Sequence, residues 1–463
     1  MTSPRTHFAA LFDELVRRAP GALAILEPGR GELSRDGLAQ AARAVERCLG
    51  VRGGGVIPIW VRRPAEVIVR TLAVWRTGGV PLLLDATLPF DRARALAAAC
   101  GAEVWPATVS DAVVLEDLPP TGAAPAAECV LLKMTSGSTG DLRAVQLTAS
   151  ALEIGLANIA TTMGRVEADR NLVTIPLTHS YGFDNVVLGL LGRGLAAVCV
   201  ADPVPRAILA AARETLATVW PGVPAQLSAL ARMPADAGSA GSLRLVISAG
   251  APLAKPVREA FATRFGLRPA NFYGSTECGG ICFDVPDGAP LAEGRVGRPL
   301  SGVRIRLDEP DHRGIGRVIV ESGSVALGFH GSSATSDALL EPGRLRTGDL
   351  GWLDEAGRLH LAGRIDDQIN IGGRKVHPGQ VERVIREIEG IRDVAVLGIT
   401  TPAGRSELWA WVETGDALSV ERISAHCAKR LAPHERPRQV RIVAELPRDG
   451  RGKLDRNALR GAV

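Results

Sequence analysis

Two short stretches carry the residue types best suited to chemistry. One is a loop of small hydroxyl residues and glycines, Thr135-Ser136-Gly137-Ser138-Thr139-Gly140. The other, more than three hundred residues on, is Gly450-Arg451-Gly452-Lys453-Leu454-Asp455-Arg456. Backbone amides and hydroxyls in such a loop can close around a polyphosphate. A lysine ammonium is a compact charge that can stabilise a pentavalent α-phosphate. Together they point to ATP-dependent activation of a carboxylate. The loop is not a Walker motif, because no Gly-Lys-Ser/Thr follows it, Gly452-Lys453 is followed by leucine, and no GxGxxG links a strand to a helix. The lysine is informative in itself: the chain has five lysines, Lys133, Lys255, Lys375, Lys429 and Lys453, against forty-nine arginines.

Those residues must be positioned by large cores. At 463 residues the chain should divide into at least two domains. A net charge of +4, with no basic run interleaved with aromatics, does not imply nucleic acid. Seven scattered cysteines fit a reducing, cytoplasmic setting, and Cys278 and Cys282 lack zinc-site spacing. Phe8, Leu11, Phe12, Leu15 and Val16 recur at helical spacing, which reads as an amphipathic helix packing on its own domain rather than a signal peptide. No window is long and apolar enough for a membrane span.

Helical and strand patterns alternate to about residue 300, as in layered α/β domains. Leu38 to Leu49 reads as helix, Val56 to Val61 as strand, Ala65 to Arg76 as helix and Val80 to Leu84 as strand. Ala107 to Ala127 reads as a surface connection ahead of strand Cys129 to Met134. From Gly302 to Leu361 short β-rich runs suggest a distorted barrel or small sheet. The tail reads as a separate α+β domain: helix Val381 to Ile388, strands Val394 to Ile399 and Leu408 to Thr414, and helix Val420 to Leu431.

Seven motifs in order now carry a resemblance. They are Thr135 to Gly140; Pro176-Leu177-Thr178-His179-Ser180-Tyr181-Gly182; Ser248-Ala249-Gly250-Ala251-Pro252-Leu253; Tyr273-Gly274-Ser275-Thr276-Glu277; Thr347-Gly348-Asp349-Leu350; Gly363-Arg364-Ile365-Asp366-Asp367; and Pro447 to Arg456. The chain resembles the adenylate-forming superfamily of acyl-CoA synthetases, aryl-CoA ligases, adenylation domains and luciferases, closest to acyl-CoA or acyl-carrier-protein ligases. The resemblance implies an α/β fold with a large N-terminal ATP- and acyl-binding domain at 1–363, a hinge at 364–367 and a small mobile α+β C-terminal domain at 368–463.

It also implies roles. Thr135, Ser136, Gly137, Ser138, Thr139, Gly140 and Arg143 would hold phosphates. Tyr273 would stack on adenine, with Gly250 and Ala251 small enough for the base to approach backbone on its other side. Asn271, Gly274 and Ser275 would line the same nucleotide site. Thr276 would donate to the α-phosphate, and Glu277 with Thr139 would serve Mg²⁺. Asp349 would accept both ribose hydroxyls, with Arg364 near ribose or phosphate. Asp366 would be the hinge residue. Lys453 would act in adenylation, and Gly372 and Gly373 would line a pantetheine tunnel.

Two positions depart from the pattern. The loop usually continues proline-lysine-glycine, whereas here it reads Asp141-Leu142-Arg143-Ala144, and Asn370 stands where many members have lysine. In the acyl pocket, His179, Tyr181 and Gly182 resemble the segment bordering the acyl or aryl group, and the resemblance places His179 with Thr276 and Lys453 among the catalytic residues. Phe183-Asp184 is similar to the segment by which amino-acid-activating members bind an amine, and a carboxylate there disfavours a plain fatty acid unless it is solvated or paired. Three readings follow. The first is a ligase joining a small-molecule acyl or aryl acid to CoA or a separate acyl carrier protein. The second is an amino-acid-adenylating enzyme, and the third a degenerate adenylate-binding protein.

Overall fold

The computed structural model describes residues 3–109, 112–136, 142–234, 238–285, 292, 294–331, 339–365, 369–371, 374–400, 406–415, 418–448 and 454–461. Its contacts form two compact units. The first comprises Met1–Pro290, Val296–Arg306 and Ile319–Arg346; the second comprises Leu291–Arg295, Leu307–Val318 and Thr347–Val463.

Short apolar runs in the first unit, among them Val56–Ile59, Val80–Leu83, Ala196–Cys199 and Val219–Gly222, become strands buried on both faces, as parallel sheets flanked by helices require. The strands are β1 (Leu23–Glu27), β2 (Gly31–Ser34), β3 (Val56–Ile59), β4 (Val80–Leu83), β5 (Val104–Val109), β6 (Ala112–Asp117), β7 (Cys129–Ser136), β8 (Leu142–Thr148), β9 (Arg170–Val173), β10 (Ala196–Cys199), β11 (Val219–Gly222), β12 (Leu245–Ser248), β13 (Ala270–Ser275) and β14 (Gly279–Asp284). One sheet runs in the order β14-β13-β12-β11-β9-β10-β1-β2, and another runs β8-β7-β4-β3. Every pairing from β13 across to β1 is parallel.

Helices cover these sheets. The predicted amphipathic helix is His7–Arg18, and it buries Phe8, Phe12 and Leu15. Phe8 stacks on Trp75, with ring centroids 5.0 Å apart, so the apolar face is used within its own unit. Trp75 lies on the buried helix Pro64–Arg76 and donates its indole N–H to the Val130 carbonyl of β7 at 2.8 Å. Ser34 and Thr148 cap the helices Arg35–Leu49 and Ala149–Thr162 by accepting from the N–H of Gly37 and Ala151.

One expectation is corrected. Ala107 to Ala127 is not merely a connection, because β5 and β6 pair as an antiparallel hairpin. Trp105 of β5 is 3% exposed and packs beside Trp60 and Phe90, with centroids 5.8 and 5.5 Å away. Burial of that indole orders a stretch whose alanines and prolines read locally as loop.

In the second unit the sheet order is Ile391–Thr400, Ser406–Thr414, Gln439–Val443. The third strand, parallel to its neighbour, was not read from the sequence. Helices Pro378–Arg386 and Val420–Arg430 pack with one sheet face through Val381, Ile385, Val396, Val412 and Ile423. The other face gathers Leu397, Trp409, Trp411, Leu446 and Leu459. No helix among the described residues is long and apolar enough to cross a membrane.

Candidate active site

Parallel strands in register end at one edge, and the motif residues leave from that edge. Gly222 pairs with Ser248 across β11 and β12, and Ser248 with Asn271 across β12 and β13. Gly250-Ala251 and Tyr273 to Glu277 therefore emerge side by side, while β9 leads into the segment carrying His179. Carboxyl ends of parallel strands are the usual place for a ligand crevice.

The Tyr273 segment has local reasons for its shape. Register slips between Tyr273 and Gly274, a bulge that re-aims the strand. A Cβ on Gly274 would meet the Gly279 carbonyl oxygen at 2.5 Å, so only glycine fits. The turn beyond it is pinned from outside. Ala326 donates its N–H to the Glu277 carbonyl at 2.7 Å, and Ser324 Oγ donates to the Cys278 carbonyl at 2.9 Å. Burial pushes the Cys278 thiol up to about 12, so it remains a neutral thiol. Asn271, buried in β13, lies opposite Asp284 of β14. Arg258, on the helix Lys255–Phe265, donates to Asp284 at 3.0 Å, both side chains being almost fully buried.

Thr135 lies opposite Arg143 in the β7–β8 ladder. The Arg143 guanidinium sits 5.8 Å from the Phe329 ring centroid. Gly137, Ser138, Thr139, Gly140 and Asp141 lie outside the described residues, as do Asp366, Gly372, Gly373 and Lys453.

The His179 segment opens a helical run. Ser180–Gly182 is α-helical, Phe183–Val187 is π-helical and Leu188–Arg193 returns to α. Such single π turns are frequent at functional sites because they rotate the side chains they carry. A Cβ on Gly182 would lie 2.4 Å from the Pro176 carbonyl oxygen, which explains that glycine by close approach. Tyr181 donates its hydroxyl to the Ile247 carbonyl at 3.2 Å and stacks on Phe272, so its polar end is engaged within the unit.

Two partners in this region were not read from the sequence. Asp85, just beyond β4, lies 3.1 Å from His179 Nε2. An ionised carboxylate only accepts, so that nitrogen carries hydrogen. The hydrogen bond with His179, reinforced by two from Thr87 and opposed by burial, holds Asp85 well below the usual carboxylate range. Its contribution to stability is complete above its unfolded value near about pH 3.9 and is lost as pH falls through the lower folded value. Asp85→Asn is expected to flatten the acid limb of the stability curve below about pH 4, as thermal melts across that range will show. The second partner is Lys133 of β7, whose Nζ lies 2.5 Å from Asp184 Oδ1. A lysine inside Cys129-Val130-Leu131-Leu132-Lys133-Met134 was the available signal, since a charge in a buried strand calls for a partner.

In the second unit, Asp349 and Arg364 face each other as register partners on strands Arg344–Leu353 and Leu359–Arg364. Asp349 Oδ1 lies 4.0 Å from Arg364 Nε. Thr347 Oγ1 accepts from the Asp349 N–H at 3.0 Å and donates to the Val318 carbonyl at 2.8 Å. A Cβ on Gly348 would lie 2.7 Å from the Arg364 guanidinium, so the Thr347-Gly348-Asp349 motif is set by this packing. Around the lysine loop, Arg448 bridges Leu454 and the Asp455 N–H donates to the Pro447 carbonyl at 2.8 Å. Arg456 donates to Glu382 of the helix Pro378–Arg386 at 2.9 Å.

Residues 107–330 match the family described as AMP-binding enzyme, and residues 380–453 match the AMP-binding enzyme C-terminal domain. The chain belongs to this adenylate-forming family. The chain is 31% identical over 348 residues to a sulfoacetate--CoA ligase of Cupriavidus necator, covering 73% of this chain and 67% of that one. It is 27% identical over 328 residues to a 2-succinylbenzoate--CoA ligase of Oceanobacillus iheyensis, covering 70% and 68%. Its fold is shared with ATP-bound MatB from Rhodopseudomonas palustris, with a TM-score of 0.86, 24% identity, and coverage of 100% of this chain and 99% of that one. The expected fold class, an α/β architecture with a large N-terminal and a small C-terminal domain, is therefore the one found.

Proposed function

We propose that this protein activates a carboxylic acid with ATP. The acid's carboxylate attacks the α-phosphorus and pyrophosphate leaves. The thiol of CoA then attacks the acyl carbonyl and AMP leaves. The observation that carries this reading is the shared edge of β11, β12 and β13, where Gly250-Ala251 and Tyr273 to Glu277 emerge side by side at the carboxyl ends of parallel strands. CoA as acceptor is supported by relatives that are themselves named CoA ligases. A carrier-protein phosphopantetheine is the alternative acceptor.

In this reading Tyr273 supplies the adenine-stacking face and Thr276 a hydroxyl donor for the α-phosphate. Arg143 takes the place of the loop lysine, and its contact with the Phe329 ring orients its bulkier, forked head. The donor set also fits Mg²⁺. Glu277 would provide one carboxylate and Thr139 a hydroxyl, with phosphate oxygens and water completing the shell that such an ion prefers. When bound, the ion neutralises phosphate charge. His179, fixed by Asp85, borders the acyl group, Asp366 supplies the hinge, and Gly372-Gly373 give the pantetheine arm close backbone approach.

ATP–pyrophosphate exchange over fatty, aryl and amino acids tests the first half-reaction. ATP binding with no exchange on any acid would instead support an adenylate-binding protein without turnover. Asp349→Ala removes two charge-assisted hydrogen bonds to ribose and is expected to raise KM for ATP about 10- to 100-fold with a smaller change in kcat. Steady-state kinetics at saturating acid checks that division.

A further inference from the structure

Lys133 is 2% exposed in β7. Its Nζ donates to Asp184 Oδ1 at 2.5 Å and lies 5.3 Å from the Phe183 ring centroid. The Asp184 side chain is 10% exposed, so the pair is not completely sealed. Its other oxygen faces β14, where a Cβ on Gly279 would lie 3.4 Å from Asp184 Oδ2. Gly279 is the register partner of Ser275, one residue before Thr276. The pair is thus enclosed by three segments already placed at the site: the strand entering the phosphate loop, the helical run after His179, and the Thr276–Glu277 turn. The pair therefore stands beside the segments that the adenylation reading sets around the activated acid.

We infer that Lys133 decides whether the acyl pocket admits an amine: by holding Asp184 in a closed ion pair it excludes acids bearing an ammonium and reserves the pocket for acids without one. The inference rests on the acyl-adenylation reading and deepens it. An ammonium ligand approaching Asp184 meets a carboxylate that is already neutralised, with a second cation a few ångströms behind it. It gains little attraction while losing its water. Without Lys133 the logic inverts, because a buried carboxylate lacking a partner is strongly unfavourable and a ligand ammonium becomes its best counter-ion. Without the Asp184 charge, Lys133 should in turn favour an acid with a second, anionic group.

The test is equilibrium binding of matched 5′-O-acylsulfamoyl adenosines, 3-phenylpropanoyl against phenylalanyl and butanoyl against 4-aminobutanoyl, alongside pyrophosphate exchange on the parent acids. In the wild-type protein the amine-free analogue of at least one pair is expected to bind at least about 100-fold tighter than its amine-bearing match. Equal affinities within both pairs, or a preference for the amine, would overturn the inference. Lys133→Met is expected to shift that ratio at least about 100-fold toward the amine-bearing analogue. An unshifted ratio in a folded Lys133→Met protein would equally overturn it. Asp184→Asn is a second arm should Lys133→Met fail to fold: succinyl against butanoyl analogues should shift about 10-fold or more toward the dicarboxylate, and no shift counts against the inference. If both variants fail to fold, the wild-type ratio decides. Normal exchange on some acid with equal analogue affinities sinks the inference alone, whereas no exchange on any acid and no analogue binding sinks the adenylation reading with it.

Discussion

Lys453→Ala is expected to lower ATP–pyrophosphate exchange by about 10² to 10³, or about 3 to 4 kcal/mol of transition-state stabilisation, the scale of losing one preorganised oxyanion donor. The assignment rests on a compact ammonium meeting charge that develops on the α-phosphate and the incoming carboxylate. Lys453→Arg should restore little, because a planar guanidinium cannot reproduce a point charge at the same place. The framework on either side of the loop does not need the lysine. Arg448 bridges Leu454, the Asp455 N–H bonds to the Pro447 carbonyl, and Arg456 is held by Glu382. Thioester formation from supplied acyl-AMP should therefore persist within a few-fold. Measuring both half-reactions separates the possibilities: equal loss in both would mean that the variant has disturbed the unit rather than removed a catalytic charge.

Arg258→Met should have the largest effect on stability. Arg258 and Asp284 are 5% and 3% exposed at their side chains and 3.0 Å apart. Removing one member of such a pair takes away the counter-charge seen beside a buried carboxylate, a change that costs up to about 3 to 5 kcal/mol. In thermal unfolding that corresponds to a drop of roughly 5 to 10 °C. Asp284 lies opposite Asn271, so the loss reaches the strand that carries Tyr273. Arg258→Met/Asp284→Leu, which leaves neither charge behind, should recover most of the lost melting temperature. A single variant that melts like wild type would show that the other groups around Asp284 already neutralise it.

Chain order and local chemistry made much of this protein legible from its residues alone. The alternation of short apolar runs with helical periodicity placed Arg35–Leu49, Val56–Ile59, Pro64–Arg76 and Val80–Leu83 within a few residues of their observed bounds. The glycines of the motifs were marked by the resemblance, and the structure supplies a packing reason for three of them: Gly182 beneath the Pro176 carbonyl, Gly274 against Gly279, Gly348 under Arg364. Asp349 and Arg364 were singled out by the resemblance of their motifs; that they face each other across a strand pair was not read from the sequence.

What the sequence alone did not determine was which charge meets which. Lys133 and Asp184 are 51 positions apart, and Asp85 and His179 are 94 apart. No local propensity couples such residues. Their meeting depends on which helix face turns toward which strand, and here the π-helical turn Phe183–Val187 changes the helix phase where Asp184 stands. The same holds for the β5–β6 hairpin, ordered by burial of Trp105, and for Gln439–Val443, which becomes a strand by joining an existing sheet edge. The sequence determined that a carboxylate would stand at position 184; tertiary packing decided that it would meet the world already paired, because only burial from three sides makes a lysine its required partner.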